Sequence, residues 1–230
     1  MYIRISLNNI LVLWNYNNES TPVKHVFSIL LLLAFLCSRN GYTQWNKTFH
    51  ENGAMKSMGI TQDNLKIGVW KYYHPNGKLN AEESYEDGLL HGEQKYYSSQ
   101  GVLVGVEQWI ADLPQDSAYY YHENGQLHKL GMYLDGQYIG SWKYFHPNGE
   151  FQRNVEYLDG MPHGKWEVYN DQGIIIQEGT YHQGKETGEW RFYENDGSLS
   201  YYGNYRDGKR VGVWYEITTK GKRKKVKNPS

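Results

Sequence analysis

The chain has 230 residues and is nearly neutral, with 24 basic and 25 acidic side chains, and 16% of its residues are aromatic. Six of the basic residues lie between positions 220 and 230 with no acidic residue among them, which leaves the part of the chain before them acidic. An acidic body of this kind is not the electrostatic surface that binds nucleic acid. We therefore expect no nucleic-acid partner.

The first 43 residues differ in character from the rest of the chain. Residues 26–37 form a run of twelve mostly apolar residues after Lys24, and small residues at Gly41 and Thr43 suit cleavage before Gln44. Twelve residues are too few to span a bilayer comfortably and are typical of a signal-peptide core. The sequence therefore predicts export to a periplasmic or extracellular location, with a membrane anchor through residues 26–37 as the alternative.

The following part of the chain, residues 44–219, repeats with a period of 24 residues. Tryptophans lie at multiples of 24 from one another, namely Trp70, Trp142, Trp166, Trp190 and Trp214, and two slots hold Gln94 and Ala118 instead. A glycine follows each slot by seven residues, at Gly77, Gly101, Gly125, Gly149, Gly173, Gly197 and Gly221. A fixed period in this range is the signature of a repeat architecture.

One copy, taken from residue 68 to residue 91, predicts a single β-hairpin. Pro75-Asn76-Gly77 suits a three-residue loop, which is a type I turn closed by a glycine bulge. Asp87-Gly88 suits a second tight turn that leads to the next copy. The sequence therefore predicts an all-β fold, an elongated antiparallel array of β-hairpins, followed by a basic flexible tail over residues 220–230.

The predicted loop also sets an expectation for the two faces of the sheet. With Pro75-Asn76-Gly77 as the loop, Tyr73 is expected to pair with Leu79. Because side chains alternate along a strand, Tyr73, Leu79 and Tyr85 are then expected on one face. Trp70 and Tyr72 are expected on the other face.

The weakest stretch of the repeat is residues 102–116. Ala111-Asp112 stands there in place of the Asp-Gly turn, and Pro114 follows it. Proline lacks the backbone N–H that a strand donates to its neighbour. The sequence therefore predicts a bulge or a wider loop at this point.

The repeated residues resemble a known family. Trp142-Lys-Tyr-Phe-His-Pro-Asn-Gly149 through Tyr157-Leu-Asp-Gly160 is similar to a MORN repeat of the bacterial variant, whose pattern is W-x-x-Y-x-x-N-G-x-L…Y-x-x-G. The resemblance covers about residues 45–219. It implies a hairpin array, a grouping with the YwqK-type antitoxin family, and a role as a protein-interaction or membrane-associated scaffold. It implies no chemistry.

Histidines recur at one repeat position, just before the loop, at His50, His74, His122 and His146. Adjacent copies are two strands apart, so equivalent atoms lie roughly 10 Å from each other. Zinc ligands require metal–nitrogen distances of about 2 Å, so this column of histidines cannot share an ion. The recurring aspartates each precede a turn glycine, where turn chemistry explains them. We therefore expect no metal, no cofactor, no catalytic residue and no enzyme activity.

The aromatic columns are the main candidate for a functional surface. The first interpretation is that they pack between copies as core, and the second is that part of one face is exposed to a partner. Tryptophan and tyrosine are enriched at interfaces because one end of the ring is apolar and the other polar. The candidate partner-binding residues are Trp70, Tyr72, Trp142, Tyr144, Trp166, Trp190, Phe192 and Trp214.

These observations leave three hypotheses for function. The first is an exported, non-enzymatic repeat scaffold that binds a protein partner in an antitoxin-like or immunity-like role. The second is a cell-wall or glycan-binding module that uses exposed tryptophan and tyrosine. The third is a membrane-associated scaffold, with the basic tail in contact with the membrane surface.

Overall fold

The array is a single sheet of sixteen consecutive antiparallel strands within residues 41–226, which are the residues that the computed structural model describes. The strands are β1 (Thr43–Phe49), β2 (Met55–Gln62), β3 (Leu65–Tyr73), β4 (Leu79–Glu86), β5 (Leu89–Tyr97), β6 (Leu103–Ile110), β7 (Leu113–Tyr121), β8 (Leu127–Leu134), β9 (Gln137–Phe145), β10 (Phe151–Leu158), β11 (Met161–Tyr169), β12 (Ile175–His182), β13 (Lys185–Tyr193), β14 (Leu199–Arg206), β15 (Lys209–Ile217) and β16 (Arg223–Val226). The all-β hairpin array predicted from the sequence is confirmed.

Two alternative predictions concern a segment that the structure does not cover. The export signal and the membrane anchor both rest on the apolar run at residues 26–37, which lies outside the described residues. Between residues 41 and 226, the structure contains no helix with the length and apolar character needed to cross a bilayer.

The three-residue loop has the predicted geometry. Gly77 N donates to His74 O at 2.8 Å, and His74 N donates to Lys78 O at 2.8 Å. Gly77 has φ of 82°, which is the left-handed conformation that closes a type I turn with a glycine bulge. The equivalent Gly149 has φ of 88°, so the loop repeats from copy to copy.

The two-residue turns between copies are also regular, including the one predicted to be wider. Ala111 and Asp112 have φ of 48° and 66°, and Ile110 pairs directly with Leu113. Pro114 lies one residue beyond that closing pair, opposite Trp109. Opposed residues in an antiparallel ladder alternate between hydrogen-bonded and non-hydrogen-bonded pairs, and the pair next to the closing one is of the second kind. A proline is therefore tolerated at this position. The wider loop predicted from Pro114 is therefore wrong. The other alternative, a bulge, is present, because the register shifts opposite Glu107, where Asp116 has φ of 63°.

A bulge after each loop changes which side chains share a face. Tyr73 pairs with Leu79 as predicted, but the register then shifts and leaves Asn80 without a partner residue. A shift of one residue moves every later side chain to the other face. The hydroxyl of Tyr85 accordingly lies 3.2 Å from that of Tyr72, so the placement of Tyr85 on the Tyr73 face is wrong.

A second bulge positions the tryptophans. In β3 the register shifts opposite Gly59, where Gly68 has φ of 63° two residues before Trp70. Trp70 then lies on the same face as Tyr72 and Tyr85, within 6.4 and 6.5 Å of their rings. We call this side of the sheet the tryptophan face and the other side the opposite face.

The sheet extends beyond the boundary predicted at residue 219. Gly221 N donates to Thr218 O at 2.7 Å, which closes a loop like those of the earlier copies. The following strand β16 pairs with β15, with Arg223 opposite Ile217. Part of the basic segment predicted as a flexible tail is therefore a strand. Gly221 belongs to the same glycine series as the other loops, which accounts for the additional hairpin.

Candidate functional site

Four tryptophans lie flat against glycines of the preceding strand. The pairs are Trp70 with Gly59, Trp142 with Gly131, Trp190 with Gly179, and Trp214 with Gly203. A Cβ at any of these glycines would lie 2.2 Å from the Cδ2 atom of the tryptophan, which is far inside van der Waals contact. The tryptophan side chains are at most 6% exposed. Each pair therefore forms a core contact between neighbouring strands of a sheet that is one layer thick.

Aromatic and cationic side chains surround each buried ring. Around Trp142, the ring of Tyr138 lies 4.0 Å away and the ring of Tyr133 lies 5.2 Å away. Lys129 Nζ lies 5.2 Å from the Trp142 ring and 4.2 Å from the Tyr120 ring. Cation–π attraction and ring packing therefore cover the tryptophan on its solvent side.

The eight candidate partner-binding residues divide into buried and half-buried side chains. The buried members of that set are Trp70, Trp142, Tyr144, Trp190 and Trp214. Tyr72, Trp166 and Phe192 are half-buried. The buried rings pack between copies, so only the half-buried ones present area to a partner, and their role in binding stays a prediction. Trp166 is less covered than the others, and Val155 stands where the better-buried copies have glycine.

The recurring histidines and asparagines link each copy to the next. His74 Nε2 lies 3.0 Å from Tyr97 O, and Asn76 Nδ2 donates to Ser99 O at 2.8 Å. The same histidine contact to a carbonyl 23 residues ahead occurs at His50, His122 and His146. Within residues 41–226, no group of three or more side chains could hold a metal ion. The histidine column thus has a structural role in the array.

The two positions of the 24-residue series that lack tryptophan, Gln94 and Ala118, have different contacts from the tryptophan positions. Gln94 is fully buried, and its Nε2 donates to Ser84 O at 3.1 Å. Trp70 Nε1 donates to the equivalent carbonyl, that of Ile60, at 3.0 Å. Gln94 therefore replaces the hydrogen bond of the tryptophan but not its ring. In both of these copies a glutamate stands where the four well-buried tryptophan copies have glycine, at Glu83 and Glu107.

The carboxylate of Glu107 is surrounded by two hydroxyl donors and one indole N–H donor. Glu107 Oε2 accepts hydrogen bonds from Trp109 Nε1 at 2.8 Å and from the Tyr96 hydroxyl at 3.3 Å, and its Oε1 accepts one from Tyr120. Burial, reinforced by the hydrogen bond to Glu107, raises the pKa of Tyr120 above its ordinary value. Burial and the negative charge of Glu107 likewise raise the pKa of Tyr96. We call Tyr96, Glu107, Trp109 and Tyr120 the tyrosine–glutamate cluster.

The opposite face changes in the same part of the sheet. In the described residues, this face carries cross-strand ion pairs of lysine or arginine at two other places, Lys71 with Glu82 at 3.0 Å and Arg191 with Glu178 at 3.2 Å. Two copies after Lys71 and Glu82, the equivalent pair is the uncharged Tyr119 and Leu130. The exposed apolar side chains on this face of β6–β8, each between 40% and 53% exposed, are Ile110, Leu113, Tyr119, Met132 and Leu134. We call these five residues on β6–β8 the apolar patch.

A groove accompanies the apolar patch. Its volume is about 600 Å³, and Ile110, Met132 and Leu134 line it together with Gln108 and Ile139. This volume is within the range of small-ligand and side-chain pockets, about 300–1,000 Å³. The groove therefore gives the patch a concave shape that could receive the side chains of another molecule.

The repeated hairpins, their loop glycines and their buried tryptophans agree with a known repeat family. Four segments of the chain match the family model described as MORN repeat variant. They are residues 66–87, 117–135, 162–183 and 186–207. MORN repeats indicate a repeat scaffold for protein or membrane interaction.

Comparison with solved structures gives only weak likenesses. A crystal structure of TcdB2-TccC3-TEV is 12% identical, with a TM-score of 0.21, over 81% of this chain and 13% of that chain. The chain therefore spans about an eighth of that protein. A protein with unknown function from Bacteroides fragilis NCTC 9343 is 9% identical, with a TM-score of 0.14, over 83% of this chain and 92% of that chain. No curated protein matches the chain.

The tyrosine–glutamate cluster lies mainly outside the matched segments. Residues 88–116, which contain Gln94, Glu107 and Trp109, are not matched, and neither are residues 136–161, which contain the regular Trp142. The irregularity of the cluster region is therefore defined by its residues, with glutamate in place of glycine. Sequence reasoning missed this cluster. The available signal was a glutamate in place of the glycine that stands eleven residues before a tryptophan slot.

Proposed function

We propose that this chain is an exported, non-enzymatic MORN-type repeat scaffold that binds a protein partner through the apolar patch. The observation that supports the proposal is the group of exposed apolar side chains on the opposite face of β6–β8, where the uncharged Tyr119 and Leu130 stand in place of the ion pair Lys71–Glu82. Contiguous exposed apolar area on a folded domain marks interaction sites. The remaining copies act as the frame that holds this patch.

The size of the patch favours a different protein over a second copy of the chain. Three to four strands about 4.8 Å apart, with about five residues of 3.4 Å each, give an area of about 300 Å². A stable dimer buries about 800 Å² on each partner. The proposed occupant is therefore an apolar segment of another protein, with its side chains in the groove and its polar residues around the rim.

Charge at the rim adds to this description of the partner. Glu93 and Lys95 form an ion pair at 2.7 Å on one side of the patch, and Lys143 lies on the other side. Both signs of charge are therefore present around an uncharged centre. A partner segment with an apolar centre and mixed charges at its ends fits this surface, because like-charge contacts across an interface are costly.

Export and the antitoxin-like or immunity-like role are finer parts of the proposal. Export rests on the apolar run at residues 26–37, and the role rests on the resemblance described above. The glycan alternative needs a row of exposed tryptophan rings, and four of the five tryptophans of the 24-residue series are buried against their neighbours. The membrane alternative needs a free basic tail, and its residues Arg223–Val226 are paired in the sheet, where basic side chains protect an edge strand.

The proposal is tested by a charge placed in the patch. The exported chain is used to capture partners from the envelope of its native cells, and a captured protein is then purified for calorimetric titration. We expect Met132→Glu to weaken binding by about tenfold or more, because a buried charge without a partner is costly at an interface. Val213→Glu is the matched control, since Val213 is 46% exposed and lies on β15 outside the patch. Equal affinities for both variants would show that the patch is not the contact surface.

A further inference from the structure

An aromatic cage holds an ammonium group in the first complete copy. Lys66 Nζ donates to the hydroxyls of Tyr72 and Tyr85, at 2.6 and 3.1 Å. It lies 4.9, 5.2 and 4.5 Å from the ring centroids of Trp70, Tyr72 and Tyr85. Tyr85 in turn donates to Glu83 Oε2 at 2.6 Å. Three aromatic rings and a carboxylate behind them therefore surround one cation, which is a recurring arrangement for ammonium recognition.

The next copy keeps this cage but lacks its cation. The residues 24 positions later are Gln94, Tyr96, Glu107 and Trp109, in place of Trp70, Tyr72, Glu83 and Tyr85. Leu90 stands in place of Lys66. The acidic group and two of the three rings are retained, and Tyr120 adds a further ring and hydroxyl. The copy therefore has the groups that recognise an ammonium ion and none of its own to place there.

The carboxylate of Glu107 has no counter-charge close by. Among residues 41–226, no lysine, arginine or histidine nitrogen forms an ion pair with it within 4.0 Å. Its hydrogen-bond donors are the neutral Tyr96, Trp109 and Tyr120. A half-buried carboxylate that is held by neutral donors alone gains stabilisation from a nearby cation.

One ring of the cluster, that of Tyr120, already contacts a cation from the following strand. Lys129 Nζ lies 4.2 Å from the centroid of Tyr120, on the strand that follows it. The position 24 residues before Lys129 is Gly105, which has no side chain to supply a charge. The cluster therefore has a cation only at its Tyr120 edge, where Lys129 lies, and none at the position that Lys66 fills one copy earlier, where Leu90 stands.

We propose that the tyrosine–glutamate cluster binds an alkylammonium group from outside the chain, in the place that Lys66 fills one copy earlier. The same chemistry is presented by a free alkylamine and by a lysine side chain of a partner protein. The cluster lies on the tryptophan face, whereas the apolar patch lies on the opposite face. Trp109 also lines the groove beside the patch, but Tyr96, Glu107 and Tyr120 do not. The proposal is argued from these three residues, and it does not depend on the proposed function.

The test uses the indole N–H of Trp109 as a reporter, because that group donates directly to Glu107. The purified exported chain is titrated with n-butylammonium while the ¹H–¹⁵N spectrum is recorded. We expect a saturable shift of the Trp109 signal, and about tenfold weaker binding in Glu107→Gln, which loses the charge but keeps the shape. Glu82→Gln is the matched control, since Glu82 pairs with Lys71 on the opposite face. Its binding should equal that of the unchanged chain.

A second variant tests the proposal without altering Glu107, so its result does not depend on any structural change that Glu107→Gln causes. Leu90→Lys supplies an internal ammonium group at the position of Lys66 and should abolish the response to n-butylammonium. Circular dichroism and the thermal midpoint establish that both variants are folded.

A lysine-containing peptide and its norleucine counterpart separate the two sources of the ammonium group, because a lysine peptide that binds better than n-butylammonium indicates a partner side chain. Absence of a saturable shift with either probe, or equal binding in Glu107→Gln, overturns the proposal. Substitutions in the apolar patch should leave this response unchanged.

Discussion

Two regions of the sheet use the same hairpin frame for different purposes. In the regular copies, such as the one with Trp142, a tryptophan lies on a glycine of the preceding strand and is covered by aromatic rings. In the copies with Gln94 and Ala118, glutamates replace those glycines and the rings become part of a hydrogen-bonded cluster. The strand pairing and the loops are the same in both regions. Two positions eleven residues apart therefore decide whether the face becomes an apolar core or a polar cluster.

The irregular region differs on both sides of the sheet. The tyrosine–glutamate cluster occupies its tryptophan face, and the apolar patch occupies the opposite face of nearby strands. A sequence that breaks its own pattern without losing the fold points to functional sites at those places. The regular copies supply stability, and the irregular ones supply the surfaces on which our two proposals rest.

The largest expected effect comes from removing a ring in the regular region. Trp142→Ala should lower the free energy of unfolding by about 3–5 kcal/mol, because a fully buried indole is replaced by a cavity. Urea denaturation measures this change. Trp45→Ala is the matched control, since Trp45 is 62% exposed on β1, and it should change stability by less than about 0.5 kcal/mol. Similar losses in the two variants would contradict the distinction between core and surface tryptophans.

A methyl group on the glycine beneath a tryptophan should have the next largest effect. Gly179→Ala places a Cβ 2.2 Å from Trp190 Cδ2, so the ring must move and stability should fall by about 1–3 kcal/mol. In the irregular region, Gly105→Ala brings its Cβ to 3.2 Å from Tyr96 and 3.5 Å from Tyr120, which are contacts that a small ring movement relieves. Denaturation midpoints should fall further for Gly179→Ala. The reverse order would remove the special role of the tryptophan–glycine pairs.

The irregular copy can be converted toward the regular one. Gln94→Trp alone should be destabilising, because Glu83 occupies the place where a tryptophan requires glycine. Glu83→Gly alone removes the acceptor of the Tyr85 hydroxyl. Combined, the two changes recreate a tryptophan–glycine pair, and we expect a favourable coupling energy of about 1–2 kcal/mol in a double-mutant cycle. Additive effects would mean that the two positions do not act as a unit.

The smallest expected effect is on ionisation of the cluster tyrosines. Burial first, and then the hydrogen bond to Glu107, raises the pKa of Tyr120 above that of an unfolded chain. The associated stability is complete below pH of about 10 and is lost as the pH rises further, because only the unfolded tyrosine ionises readily there. Ultraviolet titration of phenolate should show earlier ionisation in Glu107→Gln, with part of the delay remaining because of burial. An unchanged titration would indicate that Glu107 does not influence these hydroxyls.

Local sequence was sufficient to predict the hairpins, because their turns are specified by a few adjacent residues. Pro75-Asn76-Gly77 and Asp87-Gly88 adopt the predicted turns with positive φ at the required positions. The face of Tyr85 was not predictable in this way, since it depends on a bulge at Asn80 that forms only when the two strands pair. A rule of strict alternation fails at each such bulge.

The candidate site was less predictable than the fold for a related reason. In the sequence, Gly59 and Gly131 show no sign of a special role. They are required because a tryptophan ring of the next strand lies directly against them. The cluster around Glu107 likewise joins residues from β5, β6 and β7. Comparing copies position by position would have revealed the unusual glutamates, but the geometry of their contacts requires the paired sheet.

The hydrogen bonds from His74 and Asn76 to the following copy have a consequence for how the chain can change in length. Each reaches a carbonyl 23 residues ahead, and equivalent bonds recur along the sheet at this same separation. A duplication of a whole 24-residue unit that carries both the histidine and the asparagine therefore recreates these links at the new junction. An insertion of any other size within a unit would break the links at that point. The gene can thus lengthen the sheet in whole steps while the irregular copies, and the surfaces they carry, are kept intact.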